Sequence, residues 1–563
     1  MLLLGILLCW ALPLHALTLE AEHALLSQVY AALGQTESGT TPAQPFCATP
    51  FLLEAHAALG AEGRQRLAKA LQRPALPREY RSPSGHFRIH YDLSGRNTVD
   101  STDGDGNRVP DYIDTVAVTL DRVWELEVGQ LGYQAPPVDG GAGGGDEYDV
   151  YIVQLGSGGA YGYTYPEQGG TRSSSYMELD NDYTDAIYTQ TRELEALHVT
   201  VAHEFFHAVQ FGYYQGSDGV WWQEASSTWM EEVAYPEVND YLQYLSGFLR
   251  QPEKSLDSGS SFSSDYHIYG SCLFAHFLDQ RFGRGLIRAI WEELGRRGSA
   301  GLEHFDRAIR QEGAGGLGGA MGEFAVWNYF TGSRYRLHPR YPDGDQYPQV
   351  PPTRLNTLAK VAVADSGEVD HLGSAYVLLE PRLQPGGVVI EAQTEGGQWS
   401  RQVLLISRDS VEVRPLAGGS LRLAGWDRYD EVVLVLAEIE QSGNGYGYTV
   451  TAEYDPDLID EPVPQNSALA QNYPNPFYLG RQEHTAISFN LSQPSTSTTL
   501  FIFSVEGQLV RRKYLGVRAA RSHTEVWDGA NEEGQPVGSG VYYYVLQGHG
   551  FTASRALAVV REQ

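Results

Sequence analysis

The segment LEALHVTVAHEFFHAVQFGY (194–213) constrains the fold more strongly than any other part of the chain. Its apolar residues recur at helical spacing, which predicts a long helix over about 193–212. Within it, His203 and His207 are four residues apart, so on a helix their imidazoles lie one turn apart on the same side. Glu204 is adjacent to this pair. The segment therefore predicts a helix that carries a metal site.

Zinc is the metal that this HExxH pattern favours. A catalytic zinc takes three protein ligands and keeps a fourth position for water, whose pKa the metal lowers toward about 7. Glu204 can accept the proton of that water as the water attacks a carbonyl carbon. We therefore predict zinc, with His203 and His207 as two ligands and Glu204 as the general base.

A third protein ligand is expected from a second helix, predicted over about 221–235 in WWQEASSTWMEE and its continuation. Glu224 follows His207 by seventeen residues, a spacing that suits a second helix packed antiparallel to the first. Glu231 and Glu232 are rivals. Both can instead be hydrogen-bond partners of the histidines or part of a solvent-exposed helix face. Glu224 is the predicted third zinc ligand.

Six stretches carry a family resemblance: GHFRIHY (85–91), DGNRVPDYID (105–114), YDVYIV (148–153), HEFFHAVQFGY (203–213), WWQEASSTWMEE (221–232) and YGSCLFAHFLDQRFG (269–283). They resemble the zinc metallopeptidases that combine HExxH with a downstream glutamate, the gluzincin group typified by thermolysin. The chain looks closer still to a family of secreted bacterial metallopeptidases, over about residues 80–350.

This resemblance implies a zinc endopeptidase with His203, His207 and Glu224 as ligands and Glu204 as base. It also implies a Tyr or His that hydrogen-bonds the oxyanion. Tyr269 and His267 are the candidates, with Tyr266 as a further one, and all three can instead be aromatic residues of the core or of a turn.

A second metal loop is predicted at DGDGNRVPDYID (103–114). Oxygen-bearing side chains occupy positions 1, 3, 5, 9 and 12 of this twelve-residue loop, the arrangement that wraps calcium. Position 6, normally glycine, is Arg108, which can weaken or reshape the site. The alternative is an Asp/Gly turn before a helix. The predicted calcium ligands are Asp103, Asp105, Asn107, Val109 through its carbonyl, Asp111 and Asp114.

The chain of 563 residues is predicted to be multidomain. Apolar residues at 1–16 indicate a secretory signal peptide, and 17–80 a helical segment that resembles a propeptide. An α+β zinc metallopeptidase domain is expected at 81–352. Alternating apolar residues then predict two all-β immunoglobulin-like sandwiches, at 353–456 and 466–563. The Pro/Arg-rich stretch 73–85 is a linker or processing region.

The C-terminal hundred residues carry a second resemblance. ALAQNYPNPF (468–477) and VWDGANEEGQPVGSGVYYYVL (526–546) resemble the immunoglobulin-like sorting domains of type IX secretion cargo. This implies that the secretion machinery is a partner and that the protein is secreted or held at the cell surface. A β-sandwich used for adhesion is the alternative.

Charge and composition exclude some functions. The 70 acidic residues outnumber the 40 basic ones, so a net charge of −30 argues against a nucleic-acid partner. No internal apolar run is long enough to span a membrane. The expected partner at the active site is a protein or peptide substrate. The alternatives are a zinc hydrolase of another amide or ester, and an adhesin with an inactive metallopeptidase domain, which Glu204 argues against.

The two cysteines outside the signal peptide, Cys47 and Cys272, leave three possibilities open. They can form a disulfide, since exported proteins meet an oxidising environment. They can be unrelated thiols. Or Cys47, in Cys-Ala-Thr-Pro, can fill the fourth zinc position, in loose resemblance to the Cys-Gly-x-Pro switch in the prosegments of matrix metalloproteinases.

Overall fold

A computed structural model describes residues 19–33, 46–47, 49–168, 170–259, 266–313, 315–355, 363–381, 386–459 and 464–561. The predicted signal peptide lies outside these residues. The chain divides into two compact units. The first unit comprises the chain up to Val350 together with residues 370–374 and 438–444. The second comprises 351–369, 375–437 and 445–563.

The first unit is built on a six-stranded mixed sheet in the order β1-β5-β6-β4-β3-β2. β5 runs antiparallel to β6 and pairs on its other side with the two-residue strand β1, which runs parallel to it. The strands are β1 (Phe46–Cys47), β2 (Arg78–Arg81), β3 (Phe87–Tyr91), β4 (Tyr148–Val153), β5 (Ala160–Pro166) and β6 (Ser175–Asp180).

Helices lie before, between and after the strands of this sheet in the chain. Their bounds are α1 (Leu19–Ala32), α2 (Thr49–Ala58), α3 (Ala61–Ala70), α4 (Asp111–Trp124), α5 (Glu193–Tyr213), α6 (Val220–Ala234), α7 (Leu245–Leu249), α8 (His267–Gly270), α9 (Cys272–Phe282), α10 (Gly285–Arg297), α11 (Leu302–Gln311) and α12 (Gly316–Tyr329). Within the described part of the chain, no helix combines the length and the apolar character needed to cross a membrane.

The two faces of the sheet are covered by different helices, because successive strand residues point to opposite sides. On one face, Tyr151 and Val153 join the apolar core that α1, α2 and α3 form through residues such as Leu26 and Leu52. On the other face, the ring of Tyr148 packs edge-on against Phe205 of α5. The site-bearing helix α5 is thus fixed directly on the sheet.

The helices predicted near 193–212 and 221–235 are confirmed as α5 and α6. They are joined by a short connection and pack together through buried polar groups as well as apolar ones. The amide of Gln210 in α5 donates to the carbonyl of Gln223 and to the hydroxyl of Ser227 in α6. These bonds set the depth at which α6 presents its side chains to α5.

The second unit is all-β and holds two cores, one for each predicted sandwich. The first lies between sheets β13-β10-β15-β8 and β12-β11-β14-β9-β7 around buried Trp426, and the second between β16-β18-β21 and β17-β23-β22-β19-β20 around Trp527. The strands are β7 (Thr353–Leu355), β8 (Val363–Val369), β9 (Ser374–Leu379), β10 (Gly387–Glu395), β11 (Trp399–Ser407), β12 (Ser410–Pro415), β13 (Ser420–Ala424), β14 (Glu431–Glu438), β15 (Tyr446–Asp455), β16 (Ala468–Leu469), β17 (Phe477–Leu479), β18 (Thr485–Asn490), β19 (Ser495–Ser504), β20 (Leu509–Arg518), β21 (Ser522–Trp527), β22 (Gly540–Gly548) and β23 (Phe551–Arg561). The chain is therefore multidomain, with an α/β region followed by an all-β region.

Candidate metal centre

Four potential metal ligands meet in the interior of the first unit. The sulfur of Cys47, ring nitrogens of His203 and His207, and a carboxylate oxygen of Glu224 all lie within 4.8 Å of one another. All four residues are buried. The pair on α5 and Glu224 on α6 come together as the sequence predicts, whereas Cys47 reaches them from strand β1.

Hydrogen bonds orient both imidazoles. Nδ1 of His203 lies 2.6 Å from Oε1 of Glu231, and Nδ1 of His207 lies 2.9 Å from the amide oxygen of Gln210. Because these oxygens accept, each Nδ1 carries the proton and each Nε2 keeps a free lone pair. Both Nε2 atoms face Glu224, at 3.5 Å from His203 and 2.9 Å from His207. This is the arrangement in which an imidazole binds a metal.

The donor set fits a zinc ion. A tetrahedral zinc with bonds of 2.0–2.3 Å separates its ligand atoms by about 3.3–3.7 Å. Here Nε2 of His207 lies 3.6 Å from Sγ of Cys47. Among the described residues, Nε2 of His203 and both carboxylate oxygens of Glu224 are buried without a hydrogen-bond partner. Such unpaired buried polar atoms are costly unless another group satisfies them, and a bound cation would do so.

Electrostatics distinguish the two glutamates of α6. Burial raises the pKa of Glu224, but the neighbouring His207 and His203 outweigh burial and lower its pKa to about 2. Burial raises the pKa of Glu231 to about 8, although its hydrogen bond to His203 acts in the opposite direction. Glu224 thus loses its proton more readily than Glu231, which suits a metal-ligating carboxylate.

Glu204 is held by residues on two elements. Its Oε1 accepts a hydrogen bond of 2.9 Å from the thiol of Cys47, and its Oε2 accepts one of 3.0 Å from the hydroxyl of Thr49. Gly162 of β5 leaves room for this side chain, because a Cβ there would lie 3.1 Å from Cγ of Glu204 and 2.8 Å from a methyl carbon of Thr200. The predicted base therefore borders the cluster, with both oxygens engaged.

Tyr269 reaches the same cavity from α8. Its hydroxyl donates a hydrogen bond of 3.2 Å to the backbone carbonyl of Cys47. Burial raises the pKa of this phenol well above its usual value, which keeps it protonated and able to donate. The cavity is lined by Cys47, Tyr161, Val199, Thr200, His203, Glu204, Glu231, Asp240, Tyr244 and Tyr269.

The other oxyanion candidates lie differently. The ring of His267 lies 3.0 Å from the carbonyl of Ser255 and 3.3 Å from that of Gly247, outside the lining of this cavity. Tyr266 packs its ring on Tyr269 and is also absent from the lining. Of the three, Tyr269 is the one placed to act on a bound group.

The predicted calcium loop lies on the surface and runs into the first turn of α4, which begins at Asp111. The carboxylate of Asp103 accepts backbone N–H bonds from Gly106, Asn107 and Arg108 at 2.8–3.1 Å. Arg108 has a φ of 73°, the left-handed conformation that glycine normally supplies at this position. The side-chain amide of Asn107 donates to Asp114, at 2.9 Å. The backbone therefore takes a closed loop despite Arg108, and the calcium ligands stay a prediction.

No disulfide joins the two cysteines: Cys47 and Cys272 are both free and buried. The disulfide alternative is therefore wrong in this structure. Burial raises the pKa of both thiols well above the usual value. Cys272 opens α9, whereas Cys47 is in the cluster.

Two of the residues that act on the site were not among those predicted. Thr49 carries no sequence signal, because its contact with Glu204 spans 155 positions. Gln210 does carry one, since it lies three residues after His207 and so on the same helix face.

In comparisons with known proteins, two protein families each match a part of the chain. Residues 77–314 match the model of a family of unknown function (DUF6055). Residues 475–550 match the model of the FlgD Ig-like domain, so the C-terminal region contains an immunoglobulin-like domain. No curated protein matches the chain.

Several solved structures resemble parts of the chain at low identity. FlgD from P. aeruginosa is 20% identical, with 17% of this chain and 75% of that one covered and a TM-score of 0.13. Aminopeptidase A of Legionella pneumophila is 12% identical, with 65% and 36% covered and a TM-score of 0.27. PorZ of Porphyromonas gingivalis, described as a surface component of the type IX secretion system, is 14% identical, with 28% and 22% covered and a TM-score of 0.15. The chain thus spans about a third or less of the last two, and these scores carry no functional argument.

Proposed function

We propose that the protein is a secreted zinc-dependent endopeptidase. The observation that carries this proposal is the convergence of His203, His207 and Glu224 on one point, with Glu204 beside it. Each histidine has its Nδ1 occupied and its Nε2 directed at Glu224. A purely structural helix pair has no need to bury two imidazoles and a carboxylate with unpaired atoms.

The residues divide the chemistry among them. When bound by His203, His207 and Glu224, zinc would supply a Lewis acid that polarises the substrate carbonyl and activates water. Glu204 accepts the proton of the attacking water and passes it to the leaving amine. Tyr269 donates its hydroxyl to the oxygen of the substrate carbonyl as negative charge develops there. Glu231 and Gln210 hold the two imidazoles in the metal-binding orientation.

The sheet offers a place for an extended peptide. β5 lies next to Glu204, since Thr164 of β5 donates its hydroxyl to the carbonyl of Glu204 at 2.8 Å. Beyond the short β1, β5 has no further strand partner in the described part of the sheet. A substrate that pairs with β5 would extend past the cluster, and its backbone hydrogen bonds would position the scissile bond.

The test measures the metal content of the full chain and of its Cys47→Ser variant. It also measures how fast each one hydrolyses a denatured protein supplied as substrate. We expect one equivalent of zinc, and activity that a chelator removes and zinc restores. Glu204→Gln should keep the metal and lose at least about 10²-fold in rate, and His203→Ala should lose both. Full activity in Glu204→Gln would contradict the mechanism. Metal binding without hydrolysis in every form would favour the binding-protein alternative.

We also propose that the protein is exported and that residues from about 468 are its sorting domain. The support is the apolar N-terminal stretch in the sequence, together with the immunoglobulin-like match at 475–550 near the C-terminus. The sorting domain is separate from the proposed catalytic residues in the chain, so delivery and hydrolysis are separable functions.

A further inference from the structure

The N-terminal segment around Cys47 occupies three functional groups of the site at once. The Cys47 thiol bonds one oxygen of Glu204, and the Thr49 hydroxyl bonds the other. The Cys47 carbonyl accepts the hydroxyl of Tyr269. These are the groups that the proposed reaction needs for the attacking water and for the substrate carbonyl. With the segment in place, neither can enter.

The same segment lies where a peptide substrate would pair with the sheet. β1 (Phe46–Cys47) pairs with β5, with Cys47 opposite Gly162, the residue that makes room for Glu204. Thr49 adds a further tie, because its hydroxyl oxygen accepts the backbone N–H of Thr164 at 2.7 Å. The chain thus places its own backbone carbonyl and its own thiol at the positions proposed for a substrate.

The blocking residues come from outside the family match. That match covers residues 77–314, which include both histidines and Glu224 but not Cys47. It begins within the irregular connector 74–77, which lies between α3 and β2 and is exposed at Ala75 and Pro77. The blocking segment is therefore an N-terminal addition joined to the matched domain by an accessible stretch.

We propose that this arrangement is a latent form, in which Cys47, with its thiol proton passed to Glu204, is the fourth ligand of the metal, and Phe46, Cys47 and Thr49 lie in the substrate position. This inference rests on the proposed zinc endopeptidase and adds its regulation. The 3.6 Å between Sγ of Cys47 and Nε2 of His207 suits two ligands of one tetrahedral zinc. Activation is hydrolysis of a peptide bond in the connector 74–77 by a protease, followed by loss of the N-terminal segment.

The segment does not leave after cleavage alone. Leu26, Val29 and Leu52 are buried against the sheet in a shared core. Arg73 forms ion pairs with Asp139, Asp149 and Glu167 on the domain side of the connector. These contacts hold the N-terminal piece in place, so its release requires further degradation of α1–α3, and cleavage and activation should be separable in time.

The first test is spectroscopic and uses the full chain loaded with Co²⁺ in place of zinc. A thiolate ligand gives a sulfur-to-cobalt charge-transfer band in the near ultraviolet. We expect this band in the unaltered chain and in Cys272→Ser, a matched variant that removes the other buried thiol. It should be absent in Cys47→Ser. The d–d bands of bound Co²⁺, measured in the same spectra, show whether Cys47→Ser still binds the metal, so loss of the thiolate ligand is distinguished from a failure of the variant to fold.

The second test compares peptidase activity. The unaltered chain and Cys272→Ser should be nearly silent. In Cys47→Ser the sulfur no longer ties β1 to the metal, so β1 can leave the site while α1–α3 stay packed on the sheet. This variant should be about 10- to 1,000-fold more active, the reciprocal of the 0.1–10% population of a minor open state. Protease treatment of the unaltered chain should raise activity by a similar factor. The cobalt band should fall in step with loss of the 19–70 fragment, as followed by mass spectrometry.

The outcomes separate this inference from the proposed function. Failure to bind any metal contradicts the zinc endopeptidase itself. Metal binding with hydrolysis in the unaltered chain equal to that of Cys47→Ser, or a cobalt complex without the thiolate band, overturns latency alone. A thiolate band with metal loss and no activity in Cys47→Ser also overturns it, since Cys47 would then belong to a permanent structural site.

Discussion

Oε1 of Glu231 lies 2.6 Å from Nδ1 of His203, on the side of the imidazole opposite Glu224. Glu231 is two turns along α6 from Glu224, so one helix supplies both a carboxylate that faces the two Nε2 atoms and a carboxylate that orients a histidine. Such partners fix the tautomer of a ligating histidine and raise its basicity. Each of the two candidate glutamates thus has a different contact: Glu224 faces both Nε2 atoms, and Glu231 lies against Nδ1 of His203.

Glu231→Gln should therefore weaken metal affinity by about 10- to 100-fold without unfolding the protein. The amide keeps the size of the side chain, but an amide oxygen is a weaker hydrogen-bond acceptor for Nδ1 of His203 than a carboxylate oxygen and so orients the imidazole less firmly. Competition with a chromogenic zinc chelator measures the change. The adjacent Glu232→Gln is the control, because within the described part of the chain Glu232 makes no hydrogen bond or ion pair with either histidine. Equal affinities in both variants would contradict the role.

Tyr269→Phe should lower kcat by about 10²- to 10³-fold in the Cys47→Ser chain, with little change in KM. The variant removes the hydroxyl that now donates to the Cys47 carbonyl and is expected to donate to the substrate oxyanion. Steady-state kinetics on one peptide substrate separate the effect on kcat from the effect on KM. Tyr266→Phe, which removes a hydroxyl outside the cavity lining, should retain activity. A large rise in KM with kcat unchanged would instead make Tyr269 a substrate-binding residue.

Glu178 gives a pH prediction. Burial raises its pKa to about 7 from an ordinary 4.5. The folded state therefore binds the proton more tightly than the unfolded state, so the free energy of unfolding falls as pH rises from 4.5 to 7. At about 1.4 kcal/mol per pH unit, the free energy of unfolding falls by about 3 kcal/mol over this range.

Glu178→Gln should remove that loss of stability. Denaturant unfolding of the first unit at several pH values measures it, with the exposed Glu312→Gln as control. The prediction is wrong if the free energy of unfolding changes with pH equally in the unaltered chain and in Glu178→Gln between pH 4.5 and 7.

Calcium removal should lower thermal stability if the loop at 103–114 binds it. A site held at a hundredfold over its dissociation constant contributes about 2.7 kcal/mol. Differential scanning calorimetry with a calcium-selective chelator, with zinc retained, checks this. Asp103→Asn should abolish the chelator response. An unchanged melting temperature would leave the loop as a turn closed by its own Asp103 and Asn107 hydrogen bonds.

Removal of the chain after Gln465 should separate delivery from hydrolysis. The truncated protein, carrying Cys47→Ser and produced in another host, should remain an active peptidase, because His203, His207 and Glu224 belong to the first unit. In its native cell it should fail to reach the outside. Fractionation and immunodetection of cells and medium check this, and normal delivery of the truncated chain would contradict the sorting role.

Local periodicity was sufficient for the helical half of the site. His203, Glu204 and His207 are within five positions, so a helix alone places two imidazoles on one side and the base beside them. The same reasoning predicted α6 and the alternation of the second unit. Spacing also predicted Glu224 as the third ligand. The different contact that Glu231 makes, with Nδ1 of His203, depends on the depth at which α6 packs on α5, which bonds such as Gln210 to Gln223 set.

The sequence by itself determined the proposed metal-binding pair, the proposed base and the succession of an α/β region and an all-β region, because these depend on residues close in the chain. Only the tertiary structure decided where Cys47 lies. Its contact with Glu204 spans 157 positions and depends on a two-residue strand pairing with β5. The Cys-Ala-Thr-Pro pattern left three possibilities open for Cys47, since its position follows from the packing of α1–α3 on the face of the sheet opposite α5.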